Sequence, residues 1–532
     1  MAEHGTEGAG RSRWLTLVAM TIANSMILID QTAVPLAIPH AIADIDGSLE
    51  TSQWILTANV LPLAALMVFG GRLGDQLGLR RIFLLGSTLF ILSSALAGAA
   101  QDMPWMITMR VAQGIGAALM MPTTLAIIAA VFPERERGRA LGLMAGASAF
   151  FAALGPVLGG LLTEYVDWRA VFLVNVPLGL IVIAITLRAT PALPPAAGER
   201  RSIDLPGVAA FAIGIGAFTL GLGQSQDWGW GGPTLIALAV GVVGLVAFVA
   251  IERRQPDPLV DFGLFRHLNF TAANVSQVLA GAVELATAFL LPYFLLLVVG
   301  LSPGAAGLAL LPATLPIILI APLAGRWFDR SGGRPALVIG FLVLGASSFA
   351  LAAGFGAQEI WPLVPGLVLQ GVGLGLVLTV NDPIGLGSVP AKDQGQASGI
   401  IDTTEQMGGA IGIAVFLVVF LHFYFGRIYD LAAERGFVIG EEQLETGRRF
   451  VLSAEQEGFR QATVPAELRG FGDAFKDAHV YGYRVAFILM GVVSLVGALA
   501  GFLLVRGEDR LVPAGVVTRR SRWARPGRTA EG

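Results

Sequence analysis

Fourteen apolar stretches, each long enough to cross a hydrocarbon core roughly 30 Å thick, leave this 532-residue chain little to be but a polytopic membrane protein. They fall at roughly 14 to 38, 52 to 73, 80 to 100, 104 to 131, 138 to 162 and 168 to 188. After a linker come roughly 205 to 224, 233 to 251, 270 to 299, 304 to 325, 335 to 355, 361 to 388, 397 to 425 and 484 to 505. With 55% hydrophobic and 14% charged residues, the chain has too little polar surface to cover a water-soluble globule. Its 68 glycines fit the same reading, since small residues let membrane helices approach where burial of oil against oil gives no driving force. The first stretch follows Arg11 and Arg13 as a signal peptide would, but its apolar run of about 25 residues exceeds a secretory core of about 7 to 15, so a retained helix is expected.

Several function classes are excluded. The chain has no cysteine, hence no disulfide, thiol nucleophile or thiolate metal site. A net charge of −3 gives no case for nucleic-acid binding. His4, His40, His267, His422 and His479 are scattered over the tail and span ends, without metal-ligand spacing, and are expected to be solvated or interfacial. Lys392 and Lys476 are the only lysines, and neither follows a phosphate-binding loop, which removes an ATP-driven pump built on that motif. No enzyme activity, metal or cofactor is expected.

Arginines set the orientation, because short cytoplasmic loops carry the positive excess. Alternate loops hold Arg72, Arg80 and Arg81; Arg135, Arg137 and Arg139; Arg188, Arg200 and Arg201; Arg253, Arg254 and Arg266; Arg326, Arg330 and Arg334; and Lys392. The other loops are nearly bare: Asp44, Asp46 and Glu50 in the first, Asp102 in the second, and Arg169 the one short-loop cation. Both termini are therefore expected in the cytoplasm, and a C-terminal tail with Arg519, Arg520, Arg522, Arg525 and Arg528 agrees. Segment 426–483 is placed outside, its seven cations outweighed by ten acids.

An internal repeat organises the chain. Gly71, Arg72, Asp75 and Gly78 recur in register as Gly325, Arg326, Asp329 and Gly332. More weakly, RVAQGIGAALMMP from Arg110 is echoed by LQGVGLGLVL from Leu369. Duplicated transporter halves give such a pattern. The expected architecture is all-α, with two pseudo-symmetric six-helix bundles and two extra helices. Its parts are a bundle at 1–190, a linker at 191–203, two added helices at 204–254, a bundle at 255–506 containing the external loop 426–483, and a basic tail at 507–532.

Carboxylates are expensive in a bilayer and mark proton or substrate paths, so Asp30, Glu284, Asp382, Asp402 and Glu405, with the single cation Arg110, are the candidate functional residues. At about 1.5 Å per residue, Asp30 lies roughly 15 Å below its helix end and Arg110 roughly 12 Å below Asp102, so the two can meet. A carboxylate beside a guanidinium stays ionised and one left in apolar surroundings takes up a proton more readily, so helix movement there would load and release a proton. A permanent structural ion pair is the competing reading. Glu284 has no basic neighbour in sequence and leads the candidates for a cation-binding or protonatable group. Asp402 and Glu405 stand three apart and share a helix face with Gln406 and Gly409. Asp382, between Asn381 and Pro383, belongs near the inner vestibule. Asp75, among Arg80 and Arg81, would form a pair that opens and closes with transporter state, and Asp329 with Arg330 repeats it; a static surface pair is the bland alternative.

These residues resemble the Major Facilitator Superfamily, and within it the fourteen-span drug:proton antiporter branch, along nearly the whole chain. GRLGDQLGLRR resembles the superfamily's loop signature at Gly71, Leu73, Asp75, Gly78 and Arg80, with Gln76 and Leu79 where basic residues are usual. Arg110, Gln113, Gly114 and Gly116 resemble the fourth-helix motif, whose buried arginine the family ties to proton coupling. Gly155, Pro156, Gly159 and Gly160 resemble the fifth-helix antiporter motif, a tightly packed hinge that would limit leak; an ordinary kinked helix is the alternative. LIDQTAVPLAIP and WRAVFLVNVPLG resemble the branch's first- and sixth-helix motifs. The family often has Asn and Arg where this chain has Asp402 and Glu405, which implies a more acidic cavity. The resemblance implies a multi-pass inner-membrane antiporter, in contact with membrane lipid, that exchanges protons for small organic compounds; a monomer is the expected state, and five intramembrane acids against Arg110 favour amphipathic cations. Assigned to it are Asp30 and Arg110 for the proton, and Glu284, Glu405, Asp402 and Asp382 for substrate. A relative moving a lipid, siderophore or metabolite, or a sensor that has lost transport, would carry the same motifs.

Overall fold

In a computed structural model of the protein, residues 2–45, 47, 49–191, 204–255, 258, 260–390, 394–434 and 472–506 are described. Most of the linker 191–203 with Arg200 and Arg201, Lys392, the bulk of the loop 426–483 and the tail 507–532 lie outside them. Fourteen helices among the described residues are long and apolar enough to span a membrane. They are Ser12–Asp44, Thr51–Leu77, Leu79–Gly98, Met103–Val131, Arg139–Tyr165, Ala170–Ala189, Leu205–Gly223, Gly232–Glu252, Leu268–Val298, Pro303–Ser331, Gly333–Ala357, Trp361–Gly387, Gln396–Leu431 and Lys476–Leu504, called spans one to fourteen. Their even number puts both chain ends on one face, the terminal face.

Packing repeats with an offset of eight spans. In the first bundle, span one lies against five, two against four, three against four, and one and three against six; spans nine to fourteen repeat every one of these pairings. The sequence echoes now have a physical cause. Gly78 and Gly332, equivalent in the repeat, both adopt positive φ (99° and 79°), where a side chain on Cβ is disfavoured, and each turns the chain into the next span. Gly114 sits against the backbone of Asn59 and Gly116 against that of Phe90; Gly371 and Gly373 make the same approaches to Ala313 and Leu344. The equivalence places Leu367 where the first bundle has Arg110.

The bundles meet along two symmetry-related seams, span two with thirteen and span five with ten. Spans seven and eight pair through Gly214 and Gly244, and span seven lies against the first seam, where Gln53 Nε2 donates to the Gly223 carbonyl at 3.2 Å. Asp204 caps span seven by accepting from Gly207 N–H at 2.9 Å, with Pro206 in its first turn.

Several expectations change in detail. The first span runs on to Asp44, the sixth is broken between Leu173 and Asn175, and helices continue to Glu434 and resume at Gly472, so the loop between spans thirteen and fourteen is shorter than 426–483. The apolar count missed these extensions because the added turns mix polar with apolar residues and so interrupt the apolar run. His479 is not solvated: it is 1% exposed among Phe420, Tyr424 and Tyr483.

Candidate functional site

Asp30 and Arg110 meet in the first bundle. Arg110 Nη1 donates to Asp30 Oδ2 and to Gln113 Oε1, both at 2.6 Å, while Arg110 Nε donates to the Ile55 carbonyl at 2.6 Å. Gln113 Nε2 donates to the second oxygen, Asp30 Oδ1, at 3.0 Å. Arg110 is wholly buried and Asp30 is 2% exposed, and the Phe172 ring closes one side at 5.7 Å from the guanidinium carbon. Both oxygens of Asp30 are thus satisfied, while Arg110 Nη2 is buried without a hydrogen-bond partner among the described residues, so desolvation offsets part of the Coulomb gain.

The other four acids form a separate group. Between the bundles lies a cavity of about 480 Å³, walled by spans one, four, five, nine, ten, twelve and thirteen. Glu284, Asp382, Asp402 and Glu405 all line it, all from the second bundle, and among the described residues no lysine or arginine does. Glu405 interacts electrostatically with each of the other three. The cavity extends from Ser398 and Met144 near the terminal face to Pro156 and Leu310, with apolar surface from Leu28, Leu125, Leu291 and Ile317. Asp30 does not line it; Thr32, two residues on, does. Glu284 Oε2, Gln370 Oε1 and Ser148 Oγ are buried on this wall without a hydrogen-bond partner among the described residues. With Leu367 at the position equivalent to Arg110, the second bundle has no counterpart of the arginine that pairs with Asp30.

Spans five and ten close on each other at the face opposite the termini, where Gly160 abuts the Pro303 backbone and Gly307 abuts that of Pro156. Glu164 Oε2 fastens this closure by accepting from Ser302 Oγ and Gly304 N–H, each at 2.7 Å, across the two bundles. Toward the terminal face Gly142, Gly146 and Gly325 of the same helices have no neighbouring atom within 4 Å of a Cβ position, and Leu143 and Leu319 are exposed. The glycine–proline motif therefore presents two faces, Gly155 and Gly159 to Thr32 and Ala33 of span one, Pro156 and Gly160 to span ten. A Cβ on Gly159 would lie 2.3 Å from the Ala33 carbonyl oxygen. Gly159→Val is thus expected to destabilise by about 1–3 kcal/mol, the range for overpacking, and Gly142→Val to leave the melting temperature unchanged; thermal unfolding of the purified variants checks both.

The loop residues behave differently from the cavity residues. Arg80 Nη2 donates to the Leu187 carbonyl at 2.7 Å and Arg72 Nη2 to that of Pro258, the latter joining the first bundle to the segment that leads into the second. Asp75, Asp329 and Arg330 are exposed, and Gly71 lies beside Pro122.

Amides are what charge counting missed. Gln31 Nε2 donates to Gln406 Oε1 at 3.2 Å, bridging the bundles at buried positions next to Asp30 and Glu405. Gln277 Nε2 donates to Glu405 Oε2, and Asn381 Nδ2 donates to Gln277 Oε1 at 2.5 Å. Their only sequence signal is an uncharged amide within a span.

A model of the Major Facilitator Superfamily matches residues 20–271 and 273–428. Over 514 residues the chain is 30% identical to the tetracenomycin C resistance and export protein of Streptomyces glaucescens, covering 93% of this chain and 92% of that one. It is also 30% identical over 409 residues to a riboflavin transporter of Clostridioides difficile, covering 76% and 88%. In fold it is similar to a bacterial homolog of the human lysosomal transporter Spinster, crystallised inward-facing and unoccupied, with a TM-score of 0.63 at 18% identity over 94% of this chain and 99% of that one. A family match along most of the length, fourteen apolar helices and a cavity between paired bundles lead to one conclusion: the chain belongs to the Major Facilitator Superfamily of membrane transporters.

Proposed function

We propose that this transporter is a proton-coupled antiporter that exports amphipathic, cationic organic compounds across the cytoplasmic membrane by alternating access. The observation that carries the reading is the cavity between the bundles, lined by four acids and, among the described residues, by no lysine or arginine. Apolar walls suit the body of an amphipathic molecule, and the acids favour a positive group on it. Similarity to a tetracenomycin C exporter supports export of a drug-like compound. The terminal face is the cytoplasmic one, a reading supported by Arg72, Arg80, Arg81, Arg253, Arg254 and Arg266 at that face. In this orientation the cavity takes substrate from the cell interior while the Glu164 clamp keeps the outer side closed. The working parts are the bundle to residue 190, the pair 204–254 as a cover for one seam, and the bundle from 255 to 506.

The labour divides between the two acid groups. Asp30, saturated by Arg110 and Gln113, handles the proton, because a carboxylate that exchanges a guanidinium partner for apolar surroundings exchanges its proton affinity too. Glu284, Glu405, Asp402 and Asp382 receive the cation. The loop glycines and charges at Gly71, Asp75, Gly78, Arg80, Asp329 and Arg330 gate the cytoplasmic side.

Two carboxylate variants test this. Glu284→Gln and Glu405→Gln are expected to weaken export of the cationic dye ethidium about tenfold or more, as loss of a close Coulombic partner requires, and export of uncharged compounds less than twofold. Accumulation assays in cells expressing each variant give the ratio; equal losses for both substrate types overturn the assignment. Similarity to a riboflavin transporter supports a second reading, an uncharged metabolite as cargo, and that reading expects equal losses.

A further inference from the structure

Glu405 is the cavity acid whose orientation is dictated from behind the wall. Spans nine and thirteen touch backbone to backbone, with Gly281 against Glu405, Gly408 against Val278 and Gly412 against Ala282. This contact brings Gln277, 2% exposed, onto the Glu405 carboxylate, and places Asn381, wholly buried, behind Gln277. Neither amide lines the cavity.

Which end of an amide is nitrogen follows from its neighbours. Asn381 faces the Ala273 carbonyl at 3.0 Å, and a carbonyl only accepts, so the Asn381 atom there is Nδ2. Its second hydrogen goes to Gln277 at 2.5 Å, so the Gln277 atom there is Oε1. Gln277 is then left with one orientation, its Nε2–H pointing at Glu405 Oε2. A turned Asn381 would set Oδ1 against the Ala273 carbonyl, acceptor against acceptor. A chain of donors therefore starts at a backbone carbonyl that cannot turn and ends on Glu405.

We propose that Gln277 and Asn381 are positioning residues that hold Glu405 as a hydrogen-bond acceptor, fixing which acid of the cavity meets the positive group of a substrate. This rests on the cation-export reading above. Gln277 presents only a donor to Glu405, so the carboxylate oxygen it meets accepts. It also fixes the carboxylate in space, leaving Oε1 to address the cavity.

Binding of tetraphenylphosphonium to the purified protein in lipid nanodiscs separates this from simple charge counting. Gln277→Met keeps volume and removes the donor, and is expected to lower cation affinity about tenfold. Asn381→Asp adds an acid beside the site, so charge counting expects tighter binding. The relay expects the opposite: an aspartate oxygen turns the Gln277 amide round, sets Oε1 against Glu405 and weakens binding at least as much as Gln277→Met. Uncharged triphenylphosphine oxide is expected to change less than twofold in both, and unfolding temperatures report whether the variants are intact. Tighter cation binding in Asn381→Asp, or unchanged binding in a folded Gln277→Met, overturns the relay. Equal cation binding by the unmodified protein and Glu405→Gln overturns the cation-export reading and the relay with it; weakening in Glu405→Gln alone overturns only the relay.

Discussion

Asp30→Asn is expected to abolish pH-driven efflux of every substrate, cationic or not. Asp30 is the sole acid partner of Arg110 among the described contacts, at 2.6 Å, and both are buried away from the cavity. Asparagine can keep the bond to Gln113 but cannot alternate between charged and neutral forms. It also strands a guanidinium in low dielectric, which costs roughly 3–5 kcal/mol, so the single variant is expected to lose stability as well. The double variant Asp30→Asn with Arg110→Gln removes the stranded charge and separates the two effects. It is expected to unfold near the temperature of the unmodified protein and still to show no response to a pH gradient. Dye flux and thermal unfolding measured on both variants check this, and retained pH-driven flux in either would assign proton coupling to other residues.

The second large effect concerns the closure at the face opposite the termini. Glu164 and Ser302 lie across the two bundles, 2.7 Å apart, at the face opposite the termini. Alternating access requires that contact to break in each cycle. The chain contains no cysteine, so Glu164→Cys with Ser302→Cys introduces the only two thiols. Bridging them by a short bis-maleimide or by oxidation is expected to stop transport completely, while the cavity remains reachable by thiol reagents entering from the terminal face at a third engineered cysteine, Ser398→Cys. Reduction of the oxidised pair is expected to restore flux. Transport that continues with the pair fully cross-linked would mean that spans five and ten do not part there.

The fold was legible because its determinants repeat. Fourteen apolar runs of bilayer length give fourteen helices, and Gly78 with Gly332 announces the duplication because one backbone geometry, positive φ, demands glycine twice. The pairing of Asp30 with Arg110 was readable from helical rise, since both residues lie at similar depth. The acids of the second bundle stood out individually, but their gathering around one cavity is a property of tertiary packing, set by Gly281, Gly408 and Gly412 pulling spans nine and thirteen together. Gln277, Asn381 and Gln31 gave no warning, because a neutral amide in an apolar helix costs too little to look exceptional. The Glu164 clamp was hidden for another reason: its partners, Ser302 and Gly304, lie about 140 residues away in the other bundle, beyond the reach of any local pattern. Span ends were misjudged where helices continue through turns of mixed polar and apolar residues, as from 39 to Asp44 and from 426 to Glu434.

The central claim is that protons and organic cations exchange through this cavity. It is tested most directly with purified protein in proteoliposomes whose lumen is acid relative to the bath. Tetraphenylphosphonium is expected to accumulate inside only while the pH gradient lasts, with luminal protons leaving in step, and Glu405→Gln is expected to remove both fluxes. Accumulation that ignores the pH gradient, or proton release that ignores the cation, would contradict the account.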